Sequence, residues 1–378
     1  MFKFVKILFW FALPILITVT PVVWFLSLTG ENYCSIGEIV KSKEKHLIGY
    51  AYNENNYRYL KWKTITENNK KDIWALGSSR VLQFRSNMFN SEFYNAGYTI
   101  NSISDFQPFV EGIPKDKYPE TIIVGLDQWM FNKEFDDLKV TKPKEYWQNS
   151  FSYSVNSAKV SAIFKDLKLG KYDLSIISNR YDEKQKVRKI GLNALVNNKG
   201  FRNDGSMYYG TQINKLLIND STANDFNYSS TFKRIADGNR RFEYGDLINT
   251  EAFKVLEEFL AFCKSNNIRV VGFFPPFANK VRKKMDEIGK YQYIDSLYSL
   301  SRKIFVKKGF ELWDMQNLND FGSNDDETID GFHGGELTYL KILMYMLRHQ
   351  SLLNNYSNIK ELEIDLINAQ NRFVVYDY

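Results

Sequence analysis

Residues 120–126 (Glu120, Thr121, Ile122, Ile123, Val124, Gly125, Leu126) form a run that is apolar and β-branched on both faces. Alternate side chains of a strand point to opposite sides, so such a strand has to be covered on both. That pattern belongs to a parallel sheet held between helices. Four further short runs read as strands. Residues 72–76 are stopped by Gly77, ahead of a stretch able to open a helix, and residues 92–95 end at Ala96-Gly97. Residues 268–274 are closed by Pro275-Pro276, and residues 310–314 follow Gly309.

Helical periodicity fills the intervals in the second half of the chain. Phe253, Leu256, Leu260 and Cys263 share one face of a helix over 251–265, and Ile294, Leu297, Leu300 and Ile304 share another that ends in a glycine cap at Lys308-Gly309. A last long helix is expected from near Gly334 to about Arg348. Five short strands alternating with helices predict an α/β fold with a parallel sheet covered on both faces. The rhythm breaks over 131–249, which reads as an insertion after the third strand, lying over the strand ends where substrate sites form. Residues 31–71 read as a connecting segment, and the end of the chain from Asn354 as a tail or added element.

Residues 7–28 carry no charge; at about 1.5 Å per residue they match a bilayer core of roughly 30 Å. The run exceeds the core of a cleavable signal peptide, so residues 1–30 are expected to remain as a single-pass anchor. Lys3 and Lys6 precede the span and Glu31 follows it, which places the N-terminus in the cytoplasm and the main domain outside.

With 44% hydrophobic and 16% aromatic residues, the 378-residue chain can bury a full core. A net charge of +6, with both signs mixed along the chain, gives no stripe for nucleic acid. Two cysteines, Cys34 and Cys263, exclude a disulfide framework, and neither has metal-ligand spacing. Neither metal nor cofactor is expected.

Asp330 stands three residues ahead of His333, one of three histidines in the chain, and Gly77-Ser78-Ser79-Arg80 lies at the end of the first strand. A histidine acts as base when a carboxylate fixes its tautomer and its other nitrogen reaches a nucleophile. Strand ends in a parallel sheet converge on one crevice, so Ser79, His333 and Asp330 can meet as a triad. Ser78 is a rival nucleophile. An ordinary helix cap is the competing role for either serine.

These motifs, together with Asn95-Ala96-Gly97, resemble the SGNH or GDSL-like hydrolases in order and spacing, over about residues 72–348 outside the insertion. The resemblance, with the strand pattern, implies a flavodoxin-like three-layer sandwich over 72–378 around a sheet of about five strands. In place of the family's third-block asparagine stands Gly125-Leu126-Asp127-Gln128. A carboxylate at Asp127 would repel an oxyanion, so the amides of Ser79 and Gly97 and the side chains of Gln128 and Asn101 are the candidate oxyanion donors. Asp127 then has a structural role open to it, holding Arg80 or Arg202, the two arginines that are also candidates for substrate binding. The layout is similar to extracytoplasmic proteins that accompany membrane-bound O-acyltransferases. That similarity implies a membrane-anchored O-acetyltransferase or esterase acting on a surface glycan through an acyl-enzyme, or an inactive assembly or glycan-binding partner of such a complex.

Overall fold

A computed structural model describes residues 2–32, 34–136, 138 and 157–376, and the chain divides into two compact units.

The first unit takes in residues 2–57, 157–203 and 208–211. Its helix Phe2–Leu28 is 27 residues long and runs through Pro14 and Pro21, and it is long and apolar enough to cross a membrane. Most of it is exposed, from Phe2 at 93% to Ile17 at 62%, while Val22, Phe25 and Leu26 pack against Ile163, Ile176 and Leu192. Glu31 is buried just beyond, and its carboxylate accepts from the amides of Ala51, Tyr52 and Leu192 at 2.7 to 3.1 Å. The lead-in is more ordered than its weak periodicity suggests. Strand Lys45–Ile48 pairs in parallel with Val187–Ile190 and meets Phe201 antiparallel at Ile48. Its regularity comes from partners more than 130 residues away, which a local pattern does not register.

The second unit takes in residues 58–136, 204–207 and 212–376. Its sheet has five strands, β1 (Ile73–Leu76), β2 (Phe93–Asn95), β3 (Thr121–Gly125), β4 (Arg269–Phe274) and β5 (Glu311–Asp314). All pairs are parallel and the spatial order is 2-1-3-4-5. The two sheet faces feed two separate cores. Trp74, Leu76, Ile122, Val124, Val270 and Phe274 pack with helices Thr250–Ser265 and Leu297–Lys308. Ile73, Ala75, Ile123, Val271 and Phe273 pack with helix Glu336–Arg348. This arrangement explains why these strands are apolar on both faces. It also brings the carboxyl ends of β1, β2, β3 and β4 to one edge, where the strand order reverses between β1 and β3.

One local expectation fails. No α-helix follows β1; the chain makes a single 3-10 turn, Ser79–Val81, and a second at Ser86–Met88. Backbone carbonyls needed for a helix are engaged elsewhere. Asn95 Nδ2 donates to the carbonyls of Val81 and Phe84, and the Met207 amide donates to that of Leu82. Val81 is thereby pressed into the strand ends. A Cβ on Gly77, Gly97 or Gly125 would fall 2.9, 2.6 and 2.4 Å from its side chain, so all three glycines leave room for this one valine.

Candidate active site

Ser78 and Ser79 diverge at the turn after β1. Ser78 is buried, and its Oγ accepts from the Arg80 amide at 3.2 Å, capping the 3-10 turn. Ser79 is partly exposed, with its Oγ 2.8 Å from His333 Nε2. The capping contact and the contact to His333 therefore fall to different serines.

His333 and Asp330 meet because Gly331-Phe332 is the two-residue loop of a small hairpin, Thr328–Asp330 with His333–Gly334, that pairs Asp330 with His333. His333 Nδ1 lies 2.7 Å from Asp330 Oδ2 and 2.9 Å from Oδ1. Asp330 Oδ1 also accepts from the amides of Phe332 and His333, at 3.0 and 2.9 Å. Burial pushes the Asp330 carboxyl up, but His333 and these hydrogen bonds outweigh it and hold it below its usual value. An ionised Asp330 keeps the Nδ1 proton on His333. Nε2 is then left to accept from Ser79, which is the geometry of a general base on a nucleophile.

The insertion steadies the hairpin in a way no sequence motif announces. Asp225 Oδ2 accepts from the Gly331 amide at 3.0 Å and from Thr231 Oγ1 at 2.6 Å, and the Gly331 carbonyl accepts from the Ala278 amide at 3.0 Å.

Arg80, a candidate for substrate binding, has a different position. It is 1% exposed, and its guanidinium lies over the rings of Trp129 and Phe277 at 5.0 and 4.5 Å. Nε donates to the Phe332 carbonyl at 3.0 Å, Nη1 to Gln128 Oε1 at 2.6 Å, and Nη2 to the carbonyls of Pro275 and Pro276 at 2.8 and 2.7 Å. Asp127 Oδ1 completes the shell at 3.4 Å. With every donor direction taken, Arg80 has none left for a substrate. It ties the β1 turn, the β3 end, the β4 end and the hairpin together. The structural role of Asp127 lies in this pairing. Burial pushes its carboxyl up, while Arg80, Ser78, Arg241 and His333 act against that without cancelling it.

Arg202, the other substrate-binding candidate, belongs to the first unit, where its buried guanidinium lies over Tyr208 at 4.8 Å. Two of the expected oxyanion donors are also engaged. The Gly97 amide donates to Asn95 Oδ1 at 2.9 Å, and Gln128 Nε2 donates to the Pro275 carbonyl at 2.8 Å and to Gln316 at 3.2 Å. Asn95-Ala96-Gly97 thus braces the turn, through a buried asparagine read only as part of a motif. The Ser79 amide and the exposed Asn101 side chain remain as donors. Segment 98–100 runs along the turn after β1, with the amides of Tyr98 and Ile100 donating to the carbonyls of Ser78 and Gly77.

Among the described residues, no group of three or more His, Cys, Asp or Glu side chains is placed to hold a metal ion. Both cysteines are free thiols, Cys263 buried and Cys34 partly so. Compared with models of known protein families and with curated proteins, the chain matches none.

Proposed function

We propose that this chain is a membrane-anchored, extracytoplasmic acyl-transfer enzyme of the SGNH type, an O-acetyltransferase or esterase acting on a cell-surface polysaccharide. The observation that carries this reading is the relay from Asp330 through His333 to Ser79, with contacts of 2.7 and 2.8 Å in series. The strand order 2-1-3-4-5, with a core on each sheet face, supports a flavodoxin-like three-layer sandwich whose crevice lies at the β1/β3 reversal. The apolar helix Phe2–Leu28 supports the anchor, and Lys3 and Lys6 ahead of it support a cytoplasmic N-terminus.

In this reading Ser79 Oγ attacks the carbonyl carbon of an acyl ester while its proton passes to His333 Nε2. The tetrahedral intermediate's oxyanion is met by the Ser79 amide, with Asn101 as a side-chain donor. Collapse of the intermediate breaks the ester bond, and His333 returns the proton to the departing alkoxide. The acyl group now rests on Ser79. A glycan hydroxyl or water then gives its proton to His333 and attacks the acyl carbon; the acyl–Ser79 bond breaks, His333 returns the proton to Ser79 Oγ, and a new ester or a free acid is formed. A membrane-bound O-acyltransferase is the partner this layout suggests.

One observation favours a second reading, an inactive SGNH-type fold that binds glycan or assembles with such a partner. The Gly97 amide and the Gln128 side chain, two of the expected oxyanion donors, are held by other groups. Turnover of a chromogenic acetyl ester by the full chain in detergent separates the two. The enzyme reading expects turnover that falls to background in His333→Ala, whereas folded protein with no turnover of any acyl ester favours the second.

A further inference from the structure

Two arginines of the insertion reach the aromatic layer on which the triad rests. Arg234, on helix Ser229–Asp237, sets its guanidinium 5.6 Å from the Phe332 ring centroid, and that ring lies 4.4 Å from the ring of His333. The guanidinium of Arg241 is 5.5 Å from the centroid of Trp129, which meets Phe332 edge-on at 6.2 Å. The backbone beneath Arg241 is pinned. Phe242 is fully buried, 5.9 Å from both Phe277 and Phe332, and its carbonyl accepts from Tyr291 Oη at 2.9 Å. Arg240 and Arg241 have φ of 53° and 80°, left-handed values that L-residues hold only where the surroundings impose them.

Both guanidinium groups are partly buried, yet among the described residues neither makes a hydrogen bond or a close ion pair; the charge of Arg241 acts on Asp127 only from a distance, and Arg234 Nε is withdrawn from water with no acceptor. Partly buried arginine normally finds acceptors for its five donors, as Arg80 does nearby. Asp127 pairs with Arg80 and Asp330 with His333, and Glu243 Oε2, two residues from Arg241, is itself buried with no hydrogen-bond partner among the described residues, so none of the three carboxylates pairs with either arginine. Two unmatched planar forks beside a reaction centre suit a ligand that brings its own oxyanion.

We propose that Arg234 and Arg241 form an anion subsite beside the triad that takes a carboxylate or phosphodiester group of the acceptor chain. The inference rests on the acyl-transfer reading only in treating that chain as the substrate of Ser79. It predicts that the polysaccharide is anionic and that its charged group is bound next to the hydroxyl presented to His333.

The test uses the full-length Ser79→Ala protein in detergent, so that binding is read without turnover. The probes are an oligouronate, an oligomer of glycerol phosphodiesters and a neutral hexose oligosaccharide. One of the anionic probes is expected to bind, with affinity that falls as salt rises, and thereby to identify the oxyanion. Arg234→Gln combined with Arg241→Gln is expected to weaken that binding about tenfold or more. Equal binding of the neutral probe, no binding of either anionic probe, or an unchanged anionic affinity in the double variant would overturn the proposal. If the double variant fails to fold, Arg234→Lys and Arg241→Lys keep the charge and lose the fork. At least one should then weaken binding by about threefold or more, and no loss in either overturns the proposal. Failure of the acyl-transfer reading looks different: wild-type protein that no fluorophosphonate labels, with arginine-dependent anion binding intact.

Discussion

Arg80 Nε donates to the carbonyl of Phe332 at 3.0 Å, tying the residue after Ser79 to the residue before His333. The guanidinium is buried with Asp127, so its loss leaves an uncompensated charge as well as a broken brace. Arg80→Met should cost about 3 to 5 kcal/mol in urea denaturation, and adding Asp127→Leu should recover part of that loss. Arg80→Lys should not rescue it, because one ammonium cannot reach five acceptors spread around a planar fork. A double variant as unstable as Arg80→Met alone would contradict the pairing.

Ser78 and Ser79 should separate stability from chemistry. Ser78→Ala removes a cap and should cost about 1 kcal/mol in thermal melting while ester turnover persists. Ser79→Ala should melt within about 0.5 kcal/mol of wild type and lose turnover. The reverse pattern would make Ser78 the nucleophile.

The depressed carboxyl of Asp330 gives stability that is present above the unfolded value near pH 4 and is lost as pH falls through the folded value. Asp330→Asn should therefore be less stable than wild type at pH 6, with the gap narrowing below about pH 4. Denaturation at pH 6 and pH 3 measures this. The same variant loses the acceptor that orients Nδ1–H, and turnover should fall by about three to four orders of magnitude.

The parts of the site that could be read from the sequence are those specified locally. β3 and β4 show as strands because both their faces are apolar, and Asp330 and His333 show as a pair because a two-residue hairpin loop brings them together. Arg80 could not be read this way. Its five acceptors come from three separate places in the chain, and a lone arginine after Ser79 gives no sign that it is buried. Gly97 misled for a related reason: a glycine at a strand end suits an oxyanion amide, yet here it makes room for Val81 and bonds Asn95. Asp225 leaves no local signal, because its partner, the Gly331 amide, lies 106 residues away.

In the first unit, burial pushes the His46 imidazole down to about 4, with Arg188 acting the same way against a hydrogen bond involving the Glu44 backbone. The unfolded chain takes up that proton near pH 6.5 and the folded unit does not, so stability falls as pH drops from about 6.5 towards 4. His46→Gln should flatten the melting temperature of this unit over that window. An unchanged slope would show that His46 is not the group responsible.

A nucleophilic Ser79 activated by His333 should react with a serine-directed phosphonylating agent. Full-length protein in detergent, treated with a fluorophosphonate and digested for peptide mapping by mass spectrometry, tests it most directly. One phosphonyl adduct is expected, on Ser79, absent from Ser79→Ala and strongly reduced in His333→Ala. Folded protein that carries no adduct, or carries it on Ser78, would contradict it.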